Sequence, residues 1–176
     1  MASFAGLTPV FLCEDEASFG RISEPRYCWV FGVERPVVPA VRVREYRYMY
    51  GCVEPESGEF QYEIFEKCNT ENFNVFLKEI STSHRDCLFL MLVDGAGWHR
   101  AKALEVPENI RLVPIPAYTP EMNPTEQCWR EIRTGFQNKI FSKITEVVDK
   151  FKTTVAEIPK SVFRSITLRD WIPSRC

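Results

Sequence analysis

Six consecutive apolar residues, Leu88 to Val93, stop abruptly at Asp94, and no other stretch restricts the fold as tightly. A run this short and uniform fits a strand buried on both faces, as in a sheet covered by helices. The chain then changes character: Gly95 and Gly97 give a backbone free to turn sharply, and His99 opens a short helix over 99–104. A carboxylate at the carboxyl end of a central strand stands where open α/β sheets carry chemistry. It also stands where a turn or a helix cap would use one, and this stretch alone leaves both roles open.

A chain of 176 residues, 45% apolar, is long enough for one domain with a proper core. Its formal charge of −2 excludes a uniformly basic nucleic-acid binder, but the charge is unevenly spread. Residues 21–47 are net +3, residues 48–129 net −7 and residues 130–176 net +5. An acidic centre between basic flanks suits a metal site bordered by a polyanion path, and equally ordinary surface scatter. The seven cysteines form no C-x-x-C pair, and Cys13, Cys52, Cys87 and Cys128 lie in or beside apolar runs. That pattern fits reduced, buried thiols rather than a disulfide framework or a zinc site. There is no signal-peptide pattern, and no apolar run approaches the ~20 residues of a membrane helix.

Taken in order, Leu7–Cys13 is a short strand that ends on Glu14-Asp15-Glu16. Continued strand geometry would point Glu14 and Glu16 away from Asp15; a solvated acidic turn is the alternative. Residues 17–42 read as an irregular, basic, exposed excursion carrying Tyr27, Trp29 and Phe31. Val43–Glu54 and Glu59–Glu66 alternate apolar and charged residues around a turn at 55–58, which predicts an antiparallel hairpin. Asn69 caps a helix whose Phe73, Phe76, Leu77 and Ile80 recur at helical spacing up to Ser81. Asn109–Ile115 is another strand; helices follow over 124–137 and 144–158. The order predicts a mixed α/β sheet with helices on its faces.

Asn123-Pro124-Thr125-Glu126 has a sound structural reading as cap, first helical residue and capping-box acid. That helix start also follows the strand at 109–115, so it can reach the sheet edge near Asp15 and Asp94. Three carboxylates gathered there, without a His/Cys set, match Mg²⁺ or Mn²⁺ rather than zinc. Such a cluster repels itself unless a divalent cation neutralises it, and the usual purpose is phosphoryl chemistry with two metal ions.

Three blocks, EDEASFG at 14–20, LVDGAGWH at 92–99 and YTPEMNPTEQCW at 118–129, resemble the catalytic blocks of DDE transposases. More narrowly, they are similar to the bacterial insertion-sequence branch of the mariner superfamily, over about residues 8–140. The resemblance implies an RNase H-like fold, with a mixed central sheet, its first three strands antiparallel and helices on both faces. It implies Asp15, Asp94 and Glu126 as catalytic and metal-binding residues holding Mg²⁺ or Mn²⁺, two ions in all. It further implies a DNA endonuclease and strand transferase that cuts at transposon inverted repeats and joins the 3′-hydroxyl to target DNA. A homodimer on DNA and action in the bacterial cytoplasm, with no membrane, belong to the same expectation.

His99, five residues after Asp94, matches a His in the family; support near the scissile phosphate and a structural helix start are both open to it. Tyr118 and Asn123 belong to the third block and support the site or shape its loop. Trp98 and Trp129 read as packing residues. Arg21, Arg26, Arg35, Arg42, Arg44 and Arg47 are candidates for DNA-backbone contacts on charge alone. Full-length relatives carry helix-turn-helix domains ahead of the catalytic part, and the expectation here is a single catalytic domain over 1–176 without one. Two other readings share the fold: a domesticated or remnant DNA-binding module without turnover, and a nuclease acting on RNA–DNA hybrids.

Overall fold

The computed structural model describes residues 7–23, 25–27, 29–32, 37, 39–83, 86–116, 119 and 122–172. Five strands form one sheet: β1 (Thr8–Gly20), β2 (Tyr46–Glu54), β3 (Glu59–Phe65), β4 (Cys87–Val93) and β5 (Ile110–Pro114). Their spatial order is β3-β2-β1-β4-β5. β1, β2 and β3 pair antiparallel, while β4 and β5 run parallel to β1 and to each other, as expected of a mixed sheet.

One face carries α1 (Thr70–Ser83), whose Phe73, Phe76, Leu77 and Ile80 pack with Val10, Leu12, Tyr50 and Met91. The other carries α2 (Thr125–Thr134), α3 (Ile144–Glu157) and α4 (Lys160–Thr167) over Cys13, Phe19, Met49 and Leu92. Phe19 sits at the centre of that second core, with its ring 5.0 Å from those of Phe136 and Phe151. Successive β1 residues thus feed alternate cores, as strand geometry requires.

The largest departure from the sequence reading is β1. It does not end at Cys13 but continues to Gly20, because residues 13–20 pair with β2 from Val53 to Tyr46. The acidic triplet lies mid-strand, and the solvated-turn reading is set aside. The irregular segment consequently starts at Arg21, and its base is closed by backbone hydrogen bonds from Arg21 to Glu45 and from Ser23 to Val41. Tyr27, Trp29 and Phe31 are fully exposed there. The remaining bounds shift by a few residues; the short helix over 99–104 is instead a single 3-10 turn, Gly97–Arg100. α4 was not anticipated: Pro159 interrupts the helical pattern after α3, yet Phe163 stacks on Phe60 of β3 at 4.9 Å and secures a second short helix.

Gly95 and Gly97 do not supply positive φ angles; among described glycines only Gly32 and Gly58 have them. The turn after β4 is instead made by the Asp94 side chain, whose Oδ1 accepts the Ala96 N–H at 2.8 Å. Gly58, at φ 74°, closes the β2–β3 turn against the backbone of Lys160. Gly58→Ala is expected to cost about 1–3 kcal/mol through positive φ and the clash with α4. A lower urea midpoint with an unchanged m value would record it.

Cys13, Cys52 and Cys128 are buried free thiols, whereas Cys87, expected to be buried with them, is only half-buried near the start of β4. Burial pushes the Cys13 thiol up to about 12. Among the described residues, no helix is long and apolar enough to cross a membrane.

Candidate metal centre

The first acid, Asp15, is placed by β1 opposite Gly51 of β2, on the face covered by α2. The Trp129 Nε1–H donates to its Oδ2 at 2.9 Å. Gly51 is what makes room for that indole: a Cβ there would come within 2.5 Å of the Trp129 ring.

The second acid, Asp94, follows β4 directly. β1 and β4 pair in parallel register up to Cys13 and Leu92, so two residues further on Asp15 and Asp94 stand level. Asp94 is exposed, with its side chain 49% accessible.

The third, Glu126, lies in the first turn of α2. Two buried hydrogen bonds secure this helix start to β1: Thr125 Oγ1 donates to the Cys13 carbonyl and Asn123 Nδ2 to the Glu14 carbonyl, each at 2.7 Å. Asn123 Oδ1 also accepts the Thr125 N–H at 3.1 Å, the capping role expected of it. Glu126 is one helical turn before Trp129, which touches Asp15, so the helix presents both residues toward the same part of β1.

Burial, with the charges of Glu16 and Asp94 added, raises the Asp15 carboxyl from its ordinary value to about 7; the Trp129 hydrogen bond pulls the other way. A site that holds a carboxylate at such a cost suits a cation. The donor set is hard oxygen, matched to Mg²⁺ or Mn²⁺. Among the described residues, the set with all ligand atoms within 4.8 Å of one another is Glu14, Glu16 and His99, and Asp15, Asp94 and Glu126 do not form such a set.

A measurable consequence follows from Asp15. Between its ordinary value near 4 and about 7, the folded chain keeps a proton that the unfolded chain has released. The metal-free protein should therefore lose the stability carried by this proton as pH rises through that window. Divalent cations need the ionised carboxylate, so the rise in melting temperature on adding Mn²⁺ should be larger near pH 8 than near pH 6. Equal rises at both would contradict metal binding through Asp15.

On the α1 face lies a second group that the sequence reading passed over. Glu14 is fully buried and Glu16 nearly so, with its side chain 7% accessible. Trp98 Nε1–H donates to Glu16 Oε1 at 2.6 Å, and His99 Nε2 lies 3.3 Å from the same oxygen and 3.6 Å from Glu14 Oε2. Among the described residues neither Glu14 oxygen has a hydrogen-bond partner, and burial together with Glu16, Asp15 and Asp94 raises its carboxyl well above the ordinary range. Burial disfavours the His99 cation, but the hydrogen bond and charge of Glu16, aided by Asp94, outweigh it and hold the imidazole above its usual value. Trp98 and Trp129 thus do more than pack: each donates to a carboxylate. The signal available was strand alternation through Glu14-Asp15-Glu16, which assigns one acid to one face and two to the other.

Tyr118 and Arg35 lie outside the described residues. Arg21 pairs with Glu45 at 2.9 Å and donates to the Phe141 carbonyl, and Arg47 pairs with Glu66 at 3.0 Å. Arg26, Arg42 and Arg44 are exposed on the 21–45 segment.

Residues 10–148 match the DDE superfamily endonuclease family. An uncharacterized protein, y4pE/y4sA of Sinorhizobium fredii, is 33% identical over 128 residues, covering 70% of this chain and 95% of that protein. Among solved structures, a Mos1 mariner paired-end complex with Mn superposes with a TM-score of 0.71 at 15% identity, covering 89% of this chain and 51% of that one. The Mos1 transposase paired-end complex with the left transposon end gives 0.69 at 14% identity, with the same coverage. The chain spans about half the length of these Mos1 chains, and the likeness establishes the RNase H-like fold. With 139 of its 176 residues inside the family match, the chain belongs to the DDE superfamily endonucleases.

Proposed function

We propose that this chain is the catalytic domain of a transposase, a divalent-metal-dependent DNA endonuclease and strand transferase with Asp15, Asp94 and Glu126 as its metal-binding residues. The observation that carries the reading is the junction of α2 with β1. It brings the helix bearing Glu126 onto the strand bearing Asp15, level with Asp94. Three acids supplied by three separate segments, one of them held near neutrality by burial, make a poor purely structural feature. Mg²⁺ or Mn²⁺ held there would sharpen a water or 3′-hydroxyl as nucleophile and stabilise the departing oxygen of a DNA phosphodiester. The protein's own part is to keep the three carboxylates in place: β4 ends rigidly in the sheet, Trp129 orients Asp15, and Asn123 and Thr125 fix the helix start.

The substrates on this reading are the transposon's inverted repeats and target DNA, acted on by two copies of the chain. Arg26, Arg42 and Arg44 are available to contact phosphates, whereas Arg21 and Arg47 would first have to leave their ion pairs. The test uses duplexes carrying the repeats that flank the coding gene. Nicking in Mn²⁺ or Mg²⁺, and none in excess chelator, is expected. Cutting that persists without divalent ions would sink the proposal.

A further inference from the structure

We propose that His99 is a positioning residue for the second metal-binding acid, anchoring Asp94 to Glu16 across the end of the sheet. The inference rests on the assignment of Asp94 made above. His99 Nδ1 lies 2.9 Å from Asp94 Oδ1 and 3.2 Å from the Asp94 carbonyl, and Nε2 lies 3.3 Å from Glu16 Oε1. Both ring nitrogens are therefore committed to protein oxygens. The imidazole is 1% accessible and rests 4.5 Å from the ring of Phe73 on α1, so it has one orientation available. Glu16 is itself held by Trp98 at 2.6 Å, and its place in β1, one residue from Asp15, ties the whole chain of contacts to the strand carrying the first acid.

Asp94 needs such an anchor. It lies beyond the last residue of β4, is half exposed and, among the described residues, has otherwise the Ala96 N–H as its hydrogen-bond partner. A ligand carboxylate free to rotate loses metal affinity, and partners that orient a ligand commonly account for a 10- to 100-fold difference in it. His99 uses one Asp94 oxygen and leaves the other for the cation. The alternative use of these residues, an ion held by Glu14, Glu16 and His99 themselves, fits less well. Its donor atoms lie within 4.8 Å of one another, but it leaves the close contact of Nδ1 with Asp94 without a part in binding, and the variants below separate the two uses.

Two amide substitutions separate the halves of the ring. His99→Asn places its amide near the former Nδ1 and keeps a donor for Asp94, while His99→Gln reaches toward the former Nε2 and keeps Glu16. Mn²⁺ binding to the full chain, followed by calorimetry, should weaken by about 10-fold or more in His99→Gln and considerably less in His99→Asn. A purely structural histidine would make the two variants follow their melting temperatures instead. Glu16→Gln, close to isosteric, should also weaken Mn²⁺ binding and decides the matter if either His99 variant does not fold. Equal Mn²⁺ affinity in parent, His99→Gln and Glu16→Gln overturns the proposal. So does an ion that survives Asp15→Asn and Asp94→Asn together but is lost in Glu16→Gln, since the cluster would then be the ion site. If the parent binds no Mn²⁺ that depends on Asp15, it is the metal-centre assignment that fails, not the role of His99 within it.

Discussion

Asp94→Asn is expected to lower metal-dependent DNA cutting by about a thousandfold or more, with the fold intact. Metal stabilisation of developing charge amounts to several kcal/mol, and each ~1.4 kcal/mol is a tenfold change in rate. Asparagine can still accept the Ala96 N–H and meet His99, so the turn after β4 survives the change. Removing this charge also relieves Asp15 and Glu14, both of which it raises. The variant should lose most of the parent's gain in melting temperature on adding Mn²⁺. Loss of cutting together with a lower metal-free melting temperature would point to damage rather than to a missing ligand. Normal cutting would remove Asp94 from the triad.

Trp129 is expected to give the largest effect on stability. Its indole is 5% exposed, fills the space left by Gly51 and packs edge-on against Phe60 at 5.5 Å and Phe19 at 6.2 Å. Trp129→Ala should cost about 3–5 kcal/mol, measured by urea unfolding. Trp129→Phe keeps most of the ring contact and removes only the Nε1–H, leaving Asp15 Oδ2 without its donor at about 1–3 kcal/mol. Because that hydrogen bond lowers the Asp15 carboxyl, its loss should push the group above about 7. Metal-dependent activity of Trp129→Phe should then require higher pH than the parent. An unchanged pH profile would mean that Trp129 serves packing alone.

Much of the fold was legible because periodicity is a local property. The hairpin around 55–58, the cap at Asn69 and the buried strand before Asp94 were all readable from neighbouring residues, and each stands where it was expected. β1 departs from its sequence pattern for an equally physical reason. An acidic triplet looks like a strand end until a partner strand is known to pair with it, and the partner, Tyr46–Glu54, begins only after 25 intervening residues. α4 was hidden because its eight residues carry too few periodic positions; contact with Phe60 makes it a helix. Gly95 and Gly97 predict a turn made by glycine freedom after β4, whereas the Asp94 side chain forms it.

The amino-acid order by itself determined the family, the mixed sheet and the three acids worth examining, since spacing within short blocks carries that information. Only the tertiary structure decided which acids share a face. Alternation along β1 divides Asp15 from Glu14 and Glu16, but the α2 and α1 packing tells the two sides apart. It also decided that Trp129 and His99 hold the candidate ligands. The Trp129–Asp15 and His99–Glu16 contacts join residues 114 and 83 positions apart, separations that no local pattern encodes.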